Sequence, residues 1–169
     1  GLATVSWLFS GEVEHRDAAG VHAIVRPGEL NLMTAGAGIS HSEVSTPDTT
    51  VLHGAQLWLA LPESVRTGPR EFHHHAPEAV AVEGGSLRVF LGSLAGSSSP
   101  VPTATPLVGA ELVVDPRRAV VLEVDPGFEH GVLVDSGVIA VEGEALGRAE
   151  LGYVGVGAHR ISVDNSGDE

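Results

Sequence analysis

The chain has 169 residues, enough for one large domain or for two small modules with cores of their own. Its 43% apolar content excludes a mainly disordered chain, and with only four Phe, two Trp and one Tyr the core must rest on Val, Leu, Ala and Ile, a β-branched and Gly-rich composition that points to an all-β protein. A net charge of −13 argues against direct binding to nucleic-acid phosphates or an anionic membrane, no run of about 18 apolar residues is present to span one, and the absence of cysteine excludes disulfide and thiolate chemistry and fits a cytoplasmic location.

Residues 3–9 alternate Val5, Trp7 and Phe9 against Thr4 and Ser6, the period-2 pattern of a strand with one buried face. Ser10-Gly11 breaks it, residues 13–15 resume, and Asp17-Ala18-Ala19-Gly20 turns the chain into a partner strand over 21–25. Pro27-Gly28 is the next turn, followed by short strands at 30–33 and 39–44 on either side of a loop holding Gly36 and Gly38. Residues 51–61 give the longest apolar strand, with Gln56, Trp58 and Ala60 on one side and Leu57, Leu59 and Leu61 on the other. A loop from Pro62 ends in His73-His74-His75, a solvated loop or sheet edge, because neighbouring strand side chains diverge and three in a row cannot face one metal. Strands at 80–82 and 87–91 precede a Gly/Ser/Pro-rich linker at 93–106, and further strands are expected at 112–114, 119–124, 131–134, 138–142, 151–156 and 160–163. The boundaries are thus 1–92, 93–106 and 107–169.

One pair of residues looks built for chemistry. In an extended segment His41 and Glu43 project to the same side and Ser42 to the other, so one face carries an imidazole and a carboxylate, a donor pair that suits a divalent metal such as non-haem iron. The plainer reading of a lone His-x-Glu is a solvent-facing or hydrogen-bonded pair. A shift of 126 residues lays Gly1, Ser10 and Gly11 on Gly127, Ser136 and Gly137, and a shift of 121 lays Glu29, Leu30 and Gly36 on Glu150, Leu151 and Gly157, which supports duplication of one β-unit. Continuing these offsets places Ser162 and Asp164 where His41 and Glu43 stand. The second copy is expected to bind no metal and to serve as structure.

Gly11-Glu12-Val13-Glu14-His15-Arg16-Asp17, Pro27-Gly28-Glu29-Leu30, Met33-Thr34-Ala35-Gly36-Ala37-Gly38-Ile39-Ser40-His41-Ser42-Glu43 and Leu52-His53-Gly54-Ala55-Gln56-Leu57-Trp58 together resemble the pirin family. The resemblance implies a bicupin, two tandem double-stranded β-helix (jelly-roll) modules, with a metal site in module 1–92 and none in module 107–169. It implies one iron, Fe2+ with another divalent transition metal as the alternative, held by His41, Glu43 and the two histidines of a His-Pro-His-x-Gly motif whose glycine corresponds to Gly1, so that both lie ahead of residue 1. A further C-terminal segment is expected beyond Val163-Asp164-Asn165. The implied activity is Fe(II)-dependent cleavage of quercetin-type flavonols with O2, with a small aromatic substrate and with Glu43 as both ligand and general base. The alternatives are a non-enzymatic, redox-sensing regulatory protein acting through a protein partner, with no direct nucleic-acid or membrane contact, and, more plainly, a cupin scaffold with no metal. His15, His53 and Gln56 are candidates for the pocket or for supporting the ligands, each with a plainer role as turn cap, strand start or backbone partner. Met33 belongs to the core. The richness in Ala, Gly and Val points to a bacterial source.

Overall fold

Short β-branched segments punctuated by Gly, Pro and Asp cannot sustain a helical face, and among the described residues, 1–168, there is no α-helix. This computed structural model divides into two units, Gly1–Pro77 with Ser99–Pro106, and Glu78–Ser98 with residues 107–168.

The first unit holds β1 (Leu2–Ser10), β2 (Val13–Asp17), β3 (His22–Val25), β4 (Leu30–Thr34), β5 (His41–Ser45), β6 (His53–Ala60) and β7 (Glu71–His75). They form two antiparallel sheets, ordered β6-β1-β4-β7 and β3-β2-β5. The sheets meet face to face, Leu8 of the first packing with Val13 and Val25 of the second, and the Phe72 ring lying 4.8 Å from that of His15. β1 is buried on both faces rather than one, with Ala3, Val5 and Trp7 on its outer side and Ser6 and Leu8 on its inner side. The loop between β4 and β5 depends on Gly36. Its φ of 56° lies in the left-handed region, and a Cβ there would sit 2.5 Å from the Gly68 carbonyl oxygen. The three histidines occupy the edge strand β7, where His74 turns inward to meet Asn31 and its two neighbours point to the other face.

The second unit holds β8 (Val80–Val82), β9 (Gly85–Leu91), β10 (Ser93–Leu94), β11 (Ser97–Ser98), β12 (Gly109–Val114), β13 (Arg118–Glu123), β14 (His130–Leu133), β15 (Ile139–Val141), β16 (Glu144–Leu146), β17 (Leu151–Val154) and β18 (Arg160–Asn165). Its sheets run β12-β9-β8, β10-β11, β13-β18-β15-β16 and β14-β17. Val141, Ile161 and Val163 form one cluster of its core, with Leu112, Val114, Val132 and Ile139 packed around them. A boundary at 93–106 falls inside this arrangement. β9 pairs with β12 from Leu91–Gly109 to Gly85–Val114, which ties Glu78–Ser98 to the second unit, while Ser99–Pro106 goes with the first. The Gly/Ser/Pro-rich stretch also contains the small β10–β11 hairpin, closed by the Ser93 and Ser98 hydroxyls at 2.8 Å.

The duplication read from the sequence is a repeat of strand register. Thr4 pairs with Met33 across β1–β4, and their counterparts at offsets of 126 and 121, His130 and Val154, pair across β14–β17. Val13 pairs with Val25 across β2–β3, and at the same offsets Ile139 pairs with Leu146 across β15–β16.

Candidate metal centre

β5 is extended as its sequence requires and exposed along its length, and its alternation puts His41 and Glu43 on one face, the face on which Gln56 of the other sheet meets Glu43. The register with β2 sets His15 directly opposite Glu43 and Asp17 directly opposite His41. His15 therefore lies beside both candidates. Its ring stacks on His41 with centroids 5.7 Å apart and planes 25° from parallel, and its Nδ1 lies 3.6 Å from Glu43 Oε1. From the facing sheet, Gln56 Nε2 donates to Glu43 Oε2 at 2.7 Å and to Ser6 Oγ at 3.3 Å, while the Ser6 hydroxyl donates to Glu43 Oε1 at 3.4 Å. Ser6 and Gln56 can share this task because they are cross-strand partners in the β1–β6 register.

Two of the three candidate supporting residues, His15 and Gln56, thus reach Glu43. His53 does not, its ring standing 5.2 Å from that of Phe9. Sequence reading missed Ser6, taken as the outward residue of a half-buried strand, and Asp17, taken only as a turn former. Ser6 is 7% exposed. Asp17 does make the turn, accepting from the amides of Ala19 at 2.8 Å and Val21 at 3.0 Å, but its other oxygen meets His15 Nε2 at 3.4 Å, with both side chains almost fully covered. The polar row runs on across the first sheet, since Ser6 also faces Asn31, whose Oδ1 meets His74 Nδ1 at 2.7 Å.

Burial alone would raise the Asp17 carboxyl, yet the Val21 amide, the His15 ring and the Ala19 amide outweigh it and hold it below its ordinary value of 3.8. A carboxyl lowered on folding contributes stability above its ordinary value and loses it as pH falls through the folded one. Asp17→Asn is therefore expected to lower the urea midpoint at pH 7, and the gap from wild type is expected to narrow between pH 4 and pH 2. A gap independent of pH would show that the charge on Asp17 plays no part.

The donor chemistry fits a borderline divalent metal, one imidazole nitrogen and one carboxylate oxygen on a shared face. These two would be part of a coordination sphere: among the described residues no group of three or more His, Cys, Asp or Glu side chains is disposed to hold a metal ion. Next to Glu43 lies a cavity of about 290 Å³, bounded by Ser6, Gln56 and Glu43 at one end and by Leu8, Val13, Val25, Leu52 and Ala55 along its walls.

The second unit corrects one expectation. His15 pairs with Glu43, and Val141, its counterpart at an offset of 126, pairs with Val163. The counterparts of His41 and Glu43 are accordingly Ile161 and Val163, not Ser162 and Asp164. The offset for this last strand is 120, and a slip of one residue exchanges the two faces of a strand. Ile161 and Val163 are 4% and 2% exposed, whereas Ser162 Oγ is tied to Asp164 Oδ2 at 2.9 Å on the opposite face. His15, His41 and Glu43 in one unit thus become Val141, Ile161 and Val163 in the other, three buried residues that cluster together.

Residues 1–59 match the family model described as Pirin. A Pseudomonas aeruginosa protein named as a candidate quercetin 2,3-dioxygenase is 42% identical over 164 residues, which is 96% of this chain and 52% of that protein. A pirin-like protein of Caulobacter vibrioides is 35% identical over 158 residues, 89% of this chain and 54% of its own. Among solved structures, quercetin 2,3-dioxygenase from Acinetobacter baumannii matches with a TM-score of 0.93 at 34% identity, over 99% of this chain and 56% of that one. A bacterial pirin from Escherichia coli, solved in complex with nickel(II), shares the fold with a TM-score of 0.76 at 20% identity, over 99% of this chain and 69% of that one. The chain spans about half the length of the curated relatives it matches.

Proposed function

Because this chain belongs to the pirin family and has the all-β architecture of its bicupins, we propose that its first module holds one divalent metal, Fe2+ foremost, and cleaves a quercetin-type flavonol with O2. The observation that carries this reading is the position of Glu43. It stands on one face with His41, its carboxylate is oriented by Gln56 and Ser6, and it borders a cavity whose walls are apolar. A flat aromatic substrate gains from burial against Leu8, Val13, Val25 and Leu52, and the polar end of the cavity directs its hydroxyls toward Glu43. His41 and Glu43 are two of the ligands in this reading. A bound metal supplies a Lewis-acidic, redox-active centre. Glu43 accepts the proton of the substrate hydroxyl, since a carboxylate within hydrogen-bond reach serves as general base. Gln56 and Ser6 hold that carboxylate in place, and Leu8, Val13 and Val25 supply apolar surface beside it.

The test is O2 uptake by the ferrous-loaded protein with quercetin. One O2 consumed per flavonol lost, well above ferrous ion alone, is the expected result. A metal-loaded protein that leaves the flavonol intact but captures a protein partner in one oxidation state only would replace this reading with the regulatory one. The charge of −13 makes a protein, rather than nucleic acid, the partner to seek in that case. No described helix is long and apolar enough to cross a membrane, and a cytoplasmic location suits the cysteine-free chain.

A further inference from the structure

We infer that His15 is the positioning residue for both candidate ligands, a single buried strut that sets the ring of His41 and the carboxylate of Glu43 at once; the inference rests on the proposed metal site. Three independent observations carry it. First, His15 is 1% exposed, on β2 rather than on the ligand strand, and it contacts both members of the pair, His41 by stacking and Glu43 through Nδ1. A planar ring against a second ring limits how far the second can rotate, and a nitrogen facing a carboxylate oxygen limits the turning of that group.

Second, the strut is itself braced. Asp17 Oδ2 lies 3.4 Å from His15 Nε2, the Asp17 carboxylate is pinned by two backbone amides, and the Phe72 ring lies against the imidazole, tilted by 34°. A support held on its far side can fix what lies on its near side, which is the requirement for precise placement of ligands. Third, the second module replaces all three residues together. Val141, Ile161 and Val163 stand where His15, His41 and Glu43 stand, so in the copy whose ligand positions carry no donor atom the support position is apolar too. If His15 served only to fill the module, a polar residue braced by a buried carboxylate would gain nothing over the valine that fills the equivalent place.

The test is Co(II) binding to the full natural chain, followed by the visible absorption of the bound ion, which reports the arrangement of its ligands independently of activity. The variants are His15→Gln, whose amide occupies the place of Nε2 and keeps the Asp17 contact, and His15→Asn, whose amide occupies the place of Nδ1 and keeps the Glu43 contact. His15→Gln is expected to weaken Co(II) by about 10- to 100-fold and to shift the visible bands. His15→Asn is expected to recover part of the affinity. Wild-type affinity and bands in a folded His15→Gln protein would overturn the inference. If wild type itself takes up no Co(II), or if His41→Ala takes it up as well as wild type, the proposed metal site fails instead. Should His15→Gln not fold, Asp17→Ala, which removes the brace and leaves the ring, is read in the same way: unchanged affinity and bands overturn the inference.

Discussion

Glu43→Gln, compared with wild type at equal metal content, is expected to lower kcat for flavonol oxidation by about 10²- to 10⁴-fold, the range associated with loss of a general base. Glutamine keeps the shape of the side chain, so an amide oxygen can still accept from Gln56, which now meets Glu43 Oε2 at 2.7 Å. What it cannot do is take a proton. The cavity walls that receive the substrate are untouched by the change, so KM should move far less than kcat, the pattern of an interaction made in the transition state. Steady-state O2 uptake separates the two constants. A kcat within about threefold of wild type at equal metal loading would remove the base role from Glu43 and leave it a ligand at most.

Gly54→Ala is expected to cost about 2–3 kcal/mol of unfolding free energy, the upper part of the range for forcing an extra methyl into a packed site. A Cβ at this position would lie 2.6 Å from the Trp7 carbonyl oxygen, 2.7 Å from Leu8 Cδ2 and 2.9 Å from Leu8 Cα. Two of those atoms belong to the backbone of β1 and cannot rotate away, so β6 must lift off its neighbour. The roughly 0.4–1 kcal/mol that alanine gains by restricting the unfolded chain is too small to offset this. The strain falls near the site, because Gly54 lines the same cavity as Gln56, two residues further along β6, and Gln56 holds Glu43. A lower urea midpoint with an unchanged slope is the expected measurement. A midpoint equal to that of wild type would mean that β1 and β6 separate at little cost.

The face shared by His41 and Glu43 was legible in the sequence because it needs only the two-residue period of a strand, and the strand boundaries followed from Gly, Pro and Asp at the turns. The support around the pair was not. Ser6 looks like a residue facing water because polar and apolar residues alternate along β1, yet the inner face of this module is itself polar where it meets Glu43, so alternation does not separate inside from outside there. Asp17 carries the signature of a turn former and performs that role with one oxygen. Its second role, at His15, depends on which residue stands two places back on the same face. The second module shows how narrow the margin is. Two strand pairings follow the offsets seen in the sequence, and the third is displaced by one residue, enough to exchange Ser162 and Asp164 for Ile161 and Val163 as the counterparts of the ligand pair. The β10–β11 hairpin was hidden for a different reason, since Gly, Ser and Pro in a row describe a two-residue hairpin as well as they describe a linker.

The most direct test is the metal content of the full natural chain, wild type beside His41→Ala, by elemental mass spectrometry before and after anaerobic ferrous reconstitution. About one divalent transition metal per chain in wild type, and none retained by His41→Ala, is the expected result. A wild-type chain still empty after reconstitution, or a variant that retains as much metal as wild type, would contradict the assignment of His41 and Glu43 as a metal-binding pair.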